Sequence, residues 1–190
     1  MSTTVAAIPR KRFTRSEVEQ MYDAGLFAGQ KLELIDGELL DKMGQNPPHV
    51  WVIRMLHRLL TAFFGSERVQ VQGPIEVQIA DQKWTLPEPD LVVLKEDKPD
   101  FKTRYVTGSE LLLLIEVADT SVQFDLTIKR DLYARAEVGE YWVVDINKRC
   151  VIVHRHLQRD KYTSINAIYE GETLALEAAG ATFSLAQFLP

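Results

Sequence analysis

A chain of 190 residues with 46% hydrophobic side chains and a formal net charge of -5 fits one globular domain. The negative charge argues against broad, non-specific affinity for nucleic acid, which draws on clustered lysine and arginine. The single cysteine, Cys150, excludes an internal disulfide and a cysteine-based zinc cluster. With no signal peptide, and with Leu111 to Ile115 as its longest apolar run, the chain is expected in the cytoplasm with no membrane partner.

Residues 1–12 lack hydrophobic periodicity and end in Arg10, Lys11 and Arg12, so they are expected to form a mobile segment ahead of a single domain over 13–190. That basic cluster, extended by Arg15, reads as a solvated tail; the other reading is an arm along DNA. Thr14 and Glu17 have the spacing of a capping box for a short helix closed by Gly25. In LELIDGELL, apolar and polar residues alternate around Asp36-Gly37, a dipeptide suited to positive φ, which predicts a β-hairpin. Asn46 then caps a helix entered through Pro47 and Pro48, with Val52, Met55, Leu56, Leu59, Leu60 and Phe63 repeating on one buried face.

RVQVQ and IEVQI, separated by Gly73-Pro74, read as strands, and LVVL and LLLLIEV as strands covered on both faces. From about residue 124 to 138 the chain is helical, with Asp125, Lys129 and Tyr133 at four-residue steps on one face and Gly139 suited to its end. EYWVVDI and RCVIVHRH, joined near Asn147-Lys148, form a terminal hairpin that KYTSINAIYE extends; FSLAQFLP makes a closing turn of helix. His154 and His156 flank Arg155 and read as a surface pair on an edge strand. Trp142 and Phe124 are core residues. Mixed strands with a helix on each side of the central pair give an α/β or α+β sandwich.

Asp90 opens one apolar run and Glu116 closes another, so neighbouring strands would bring both carboxylates to one site. Magnesium is usually held by one or two protein carboxylates, with water and substrate phosphate completing its shell. Such an ion makes hydroxide available near neutral pH and offsets charge at a phosphoryl centre. Spacing alone also allows a bland reading, in which strand-end acids cap helices and Lys129 is a surface charge paired with Asp125. No glycine-rich phosphate loop, nucleophile elbow or dinucleotide fingerprint is present.

PEPDLVVL, IEVADTS, Asp125, Lys129, LYARAEVGEYWVVD and the earlier ELIDGEL together resemble the signature of the Uma-type restriction endonucleases, within the PD-(D/E)XK nuclease superfamily. The resemblance runs from about Leu32 to the C-terminus. It implies a restriction-endonuclease-like central mixed β-sheet flanked by helices, with an additional N-terminal β-hairpin and a divalent-metal site at one edge of the sheet. Carried over, Asp90 is the metal-binding aspartate and Glu116 the second acidic ligand, with Mg2+ or Mn2+ as cofactor. The superfamily lysine stands two positions after that glutamate, where this chain has Ala118. Lys129, one helix later, is the candidate to replace it.

Four supporting residues follow from the same segments. Glu38 is either an outer carboxylate or a solvent-facing hairpin residue. His49 is either a proton shuttle or phosphate contact, or a helix-start residue bonded to backbone. Asp125 shares the face of Lys129, and Tyr133 packs there with its hydroxyl satisfied. The implied activity is that of a Mg2+-dependent endodeoxyribonuclease, hydrolysing phosphodiester bonds in DNA as a homodimer. The alternative, motivated by the acidic charge and displaced lysine, is a catalytically inactive nuclease-like binding or regulatory module. A third reading is an interaction protein that pairs with a second copy through an exposed strand edge.

Overall fold

Leu91–Leu94 and Leu111–Ala118 are apolar without alternation because they lie at the centre of a six-stranded sheet and bury both faces. The computed structural model describes residues 10–42 and 46–190. In chain order these contain helix α1 (Arg15–Asp23), strands β1 (Leu32–Ile35) and β2 (Glu38–Asp41), helix α2 (Pro47–Phe64), then β3 (Val69–Val71), β4 (Ile75–Glu76), β5 (Leu91–Leu94), β6 (Val106–Thr107) and β7 (Leu111–Ala118). A helix over 122–135 follows, then β8 (Tyr141–Asp145), β9 (Cys150–Gln158), β10 (Lys161–Tyr169), β11 (Thr173–Leu176) and β12 (Ala181–Ser184).

The main sheet has the order β10-β9-β8-β7-β5-β3. Only β7 and β8 run parallel, because the helix between them carries the chain back across the sheet; the other pairs are antiparallel. Period-2 alternation divides the strands between two layers. Leu91, Val93, Leu113, Ile115 and Trp142 meet Val52, Leu56 and Leu60 of α2, whereas Val92, Leu114 and Val143 meet Leu132 and Tyr133 of helix 122–135. The result is a mixed sheet with helices on both faces.

The β1–β2 hairpin turns at Asp36 (φ 49°) and Gly37 (φ 81°), as its dipeptide predicts. It docks on residues 84–86, where Gly37 N–H donates to Trp84 O at 2.7 Å and Leu86 N–H to Leu34 O at 2.7 Å. Thr14 and Glu17 form the capping box of α1, and Asn46 caps α2 by accepting from His49 N–H. Of the expected mobile segment, residues 1–9 lie outside the described residues. Arg10 and Arg12 pair with Glu38 and Asp36 of the hairpin, and Lys11 pairs with Glu17.

Several local expectations change. IEVQI is strand only at Ile75–Glu76, after which Ile79–Gln82 forms one helical turn with Ile79 exposed. Phe63 is exposed on α2, and Phe64 takes the buried position. Helix 122–135 ends three residues early because Glu137, not Gly139, adopts the left-handed conformation (φ 66°), with Val138 N–H closing on Tyr133 O. The tight contact is instead at Gly108, where an added Cβ would lie 2.0 Å from Ala136 O. His154 and His156 do not share a side: positive φ at His156 (54°) breaks the alternation. His156 is exposed, whereas His154 is buried on an interior strand, stacked on Tyr141 with ring centroids 5.1 Å apart. Among the described residues no helix is long and apolar enough to cross a membrane.

Candidate active site

Strands β5 and β7 pair with Leu91 opposite Ile115, and one further step sets Asp90 opposite Glu116. Both carboxylates therefore leave the sheet on the face covered by helix 122–135, as cross-strand neighbours. Both are buried. Asp90 is anchored by Val117 N–H, which donates to its Oδ2 at 2.9 Å.

Lys129 comes from the facing helix. Its segment Asp125–Lys129 is wound as a π-turn between two α-helical pieces, with Arg130 N–H donating to Asp125 O. Such turns are uncommon and recur at functional sites. Here it aims two charged side chains inward. Lys129 Nζ lies 2.8 Å from Glu33 Oε1, 3.0 Å from Glu116 Oε1 and 3.9 Å from Asp125 Oδ1. Burying one ammonium costs several kcal/mol without partners, and three carboxylates supply them. Tyr133 donates its hydroxyl to Glu116 Oε1 at 2.6 Å, and Ser121 donates to Asp125 Oδ2 at 2.6 Å.

A second pair of groups serves Asp90. Lys42 Nζ is 3.5 Å from Asp90 Oδ1 and also donates to the Glu88 carbonyl. His49 Nε2 is 3.5 Å from Asp90 Oδ2, an ion-pair distance longer than a good hydrogen bond, and its Nδ1 is buried without a hydrogen-bond partner.

These neighbours divide the carboxylates. Burial works to raise the pKa of Asp90, but His49, Lys42 and the Val117 N–H outweigh it and hold the group down at about 2. For Glu116 burial wins, with Asp90 and Asp125 adding repulsion, and its pKa is raised despite Lys129 and Lys42. Burial likewise lifts Asp125 to about 6 against Lys129 and Ser121. Lys129 goes the other way from its burial: Glu116, Glu33 and Asp125 raise it, and it stays charged.

The walls close on a cleft of about 510 Å³ reached by Glu33, Lys42, His49, Asp90, Glu116 and Lys129. Among the described residues no group of three or more His, Cys, Asp and Glu side chains is spaced to hold a metal ion. The donor set nonetheless fits a hard cation with few protein ligands. Asp90 Oδ1 is a buried oxygen without a hydrogen-bond partner, at the wall of the cleft and across one strand pair from Glu116.

The structure thus gathers Asp90, Glu116, Lys129, Asp125, Tyr133 and His49 around one cleft. Glu38 is placed elsewhere: it is exposed at the turn end of the hairpin and lies 3.6 Å from Arg10. The carboxylate the hairpin does bring in is Glu33, and Lys42 follows on the same hairpin; the sequence reading missed both. A signal existed for Glu33, since strand alternation puts it on the face of Ile35, opposite Leu40. Which hairpin face meets the sheet was not written in the local pattern. Phe124 is half-buried, packing against the core layer as expected and also lining the cleft, while Trp142 is buried with its indole N–H on Glu140 Oε1 at 2.7 Å.

The sequence matches the model of the family described as Uma2, putative restriction endonuclease, over residues 15–187. The match begins ahead of Leu32, so α1 belongs to it. No curated protein matches the chain. A crystal structure of a putative nuclease belonging to DUF820 from Anabaena variabilis shares the fold, with a TM-score of 0.67 and 13% sequence identity, covering 88% of this chain and 96% of that one. The mixed sheet flanked by helices is therefore a nuclease-type architecture, as the motif order implied.

Proposed function

This chain belongs to the Uma2 family of putative restriction endonucleases, and from that premise we propose that it is a metal-dependent endonuclease that hydrolyses phosphodiester bonds in DNA. The observation that carries the proposal is the placement of Asp90 and Glu116 side by side with the Lys129 ammonium 3.0 Å from Glu116. Asp90 and Glu116 would hold Mg2+ or Mn2+. When bound, that ion supplies a water acidic enough to attack at neutral pH and positive charge for the phosphoryl oxygens.

The chain's own residues do the rest. Asp90 stays ionised across the neutral range because Lys42, His49 and the Val117 N–H stabilise its charge. Tyr133 fixes one Glu116 oxygen by hydrogen bonding. Glu33 holds the Lys129 ammonium at the cleft, where a fixed cation can stabilise charge building on the scissile phosphate without reorganisation. The lysine missing at Ala118 is thus replaced from the facing helix.

Purified protein with Mg2+ should nick supercoiled plasmid, and Asp90→Ala and Glu116→Ala should each abolish nicking. Equal nicking by those variants would refute the proposal. A second reading, a nuclease-like module that binds without turnover, draws on the same lysine, whose ammonium is already surrounded by Glu33, Glu116 and Asp125. Absence of nicking and of Asp90-dependent metal binding by calorimetry would favour it.

A further inference from the structure

Helix α2 carries no aspartate or glutamate along its 18 residues, in a chain whose net charge is -5. Its solvent-facing stripe holds Trp51, Arg54, His57 and Arg58 at helical spacing, all exposed. Of the ten arginines outside this stripe, eight pair with a carboxylate among the described residues, Arg68 and Arg159 being the exceptions. Among the described residues Arg54, Arg58 and Lys31 make no ion pair. Arg54 instead lies over the Trp51 ring, 4.9 Å from its centroid.

This stripe is joined to the candidate active site by surface relief. A depression of about 250 Å³ beside it is lined by Arg54, His57 and Gln72. Gln72 also lines the next depression, of about 260 Å³, with Lys31, Lys42 and the one carboxylate Glu88, and accepts from Lys31 Nζ at 3.1 Å. Lys42 in turn lines the catalytic cleft. A run of basic side chains, Arg54 and Lys31 without an ion pair and Lys42 paired with Asp90, thus leads step by step from an exposed indole to the carboxylates.

We propose that this track seats a single strand of nucleic acid, with phosphates on Arg54 and Lys31 and an unpaired base against Trp51, and delivers it to the cleft. The proposal rests on the reading of the cleft as a nuclease site. Its chemistry is that of strand-binding grooves, in which spaced cations follow the backbone and an aromatic face takes a base irrespective of sequence. Charge complementarity and continuity with the cleft favour this occupant over a second copy of the chain.

The test measures binding rather than cleavage. A 5′-fluorescein 20-nucleotide single-stranded DNA is titrated with the protein in EDTA at several salt concentrations, and folding of each variant is checked by circular dichroism. Loss of two phosphate contacts in Lys31→Ala/Arg54→Ala should weaken binding roughly twentyfold at 0.1 M salt and reduce the salt slope by about 1.4. Trp51→Ala should weaken binding by about fivefold or more while leaving the slope unchanged. Unaltered affinity and slope in the double variant would overturn the inference, as would a wild-type protein that does not hold the oligonucleotide. So would a duplex of equal length bound more tightly than the single strand, or a solution dimer that Trp51→Ala dissociates. Binding that depends on Lys31 and Arg54 in a protein that fails to nick plasmid would refute the nuclease reading alone.

Discussion

Glu33 on β1 and Lys129 on helix 122–135 meet at 2.8 Å, joining the N-terminal hairpin to the helix that crosses the sheet. The second Glu33 oxygen accepts from Glu88 N–H at 3.3 Å, so the carboxylate is held from two sides. In the proposed enzyme Glu33 is a positioning residue that fixes the ammonium. Glu33→Gln should lower kcat by about tenfold or more with little change in KM, because the lost interaction is needed in the transition state. Steady-state nicking kinetics separate this from a structural role, which would raise the unfolded fraction and leave the kinetics of the folded protein unaltered.

Lys129 balances a buried set of acids, so its removal should be felt in stability as well as activity. Lys129→Met is expected to reduce nicking by about 100-fold or more, and to destabilise the fold by about 3–5 kcal/mol by removing the ammonium shared by Glu33, Glu116 and Asp125. Adding Glu116→Gln to Lys129→Met should recover part of the stability and none of the activity. Denaturant melts of the two single variants and the double variant measure the coupling.

Metal should act on the folded state directly. If Asp90 and Glu116 hold the ion, Mg2+ raises the thermal midpoint of the wild type in a concentration-dependent manner, since a ligand that binds only the folded form stabilises it by mass action. Asp90→Asn should remove that rise, and EDTA should abolish nicking until Mg2+ is restored. A midpoint indifferent to Mg2+ in the wild type would count against this ligand set.

The pH dependence of stability has a contributor far from the cleft. Burial lowers the His154 pKa from 6.5 to about 4. Because the folded-state value is depressed, the unfolded chain takes up the proton first, and stability falls as pH drops from 6.5 toward 4. The full loss is roughly 3 kcal/mol by linkage. His154→Phe, which keeps a ring against Tyr141, should be destabilised by a constant offset at neutral pH yet lose less stability than the wild type across that window. Parallel chemical melts at pH 7 and pH 4.5 give the comparison.

The chain by itself determined what local chemistry controls. Asp36-Gly37 specified its turn through positive φ, Thr14, Glu17 and Asn46 marked helix starts, and the unalternating runs around Val92 and Leu114 announced strands covered on both faces. Four-residue spacing put Asp125, Lys129 and Tyr133 on one face, and the ends of two strands singled out Asp90 and Glu116. Only the tertiary structure decided that Glu33 and Lys42, not Glu38, come to the cleft, because a hairpin's alternation defines two faces but not which one docks. The same holds for His154, which β10 makes part of an interior strand and the Tyr141 and Tyr162 rings cover, while a positive φ at His156 turns that residue out to solvent. The inward position of Lys129 is likewise seen only in the packed structure, where Glu33 of the hairpin, Glu116 of β7 and Asp125 of its own helix surround its ammonium.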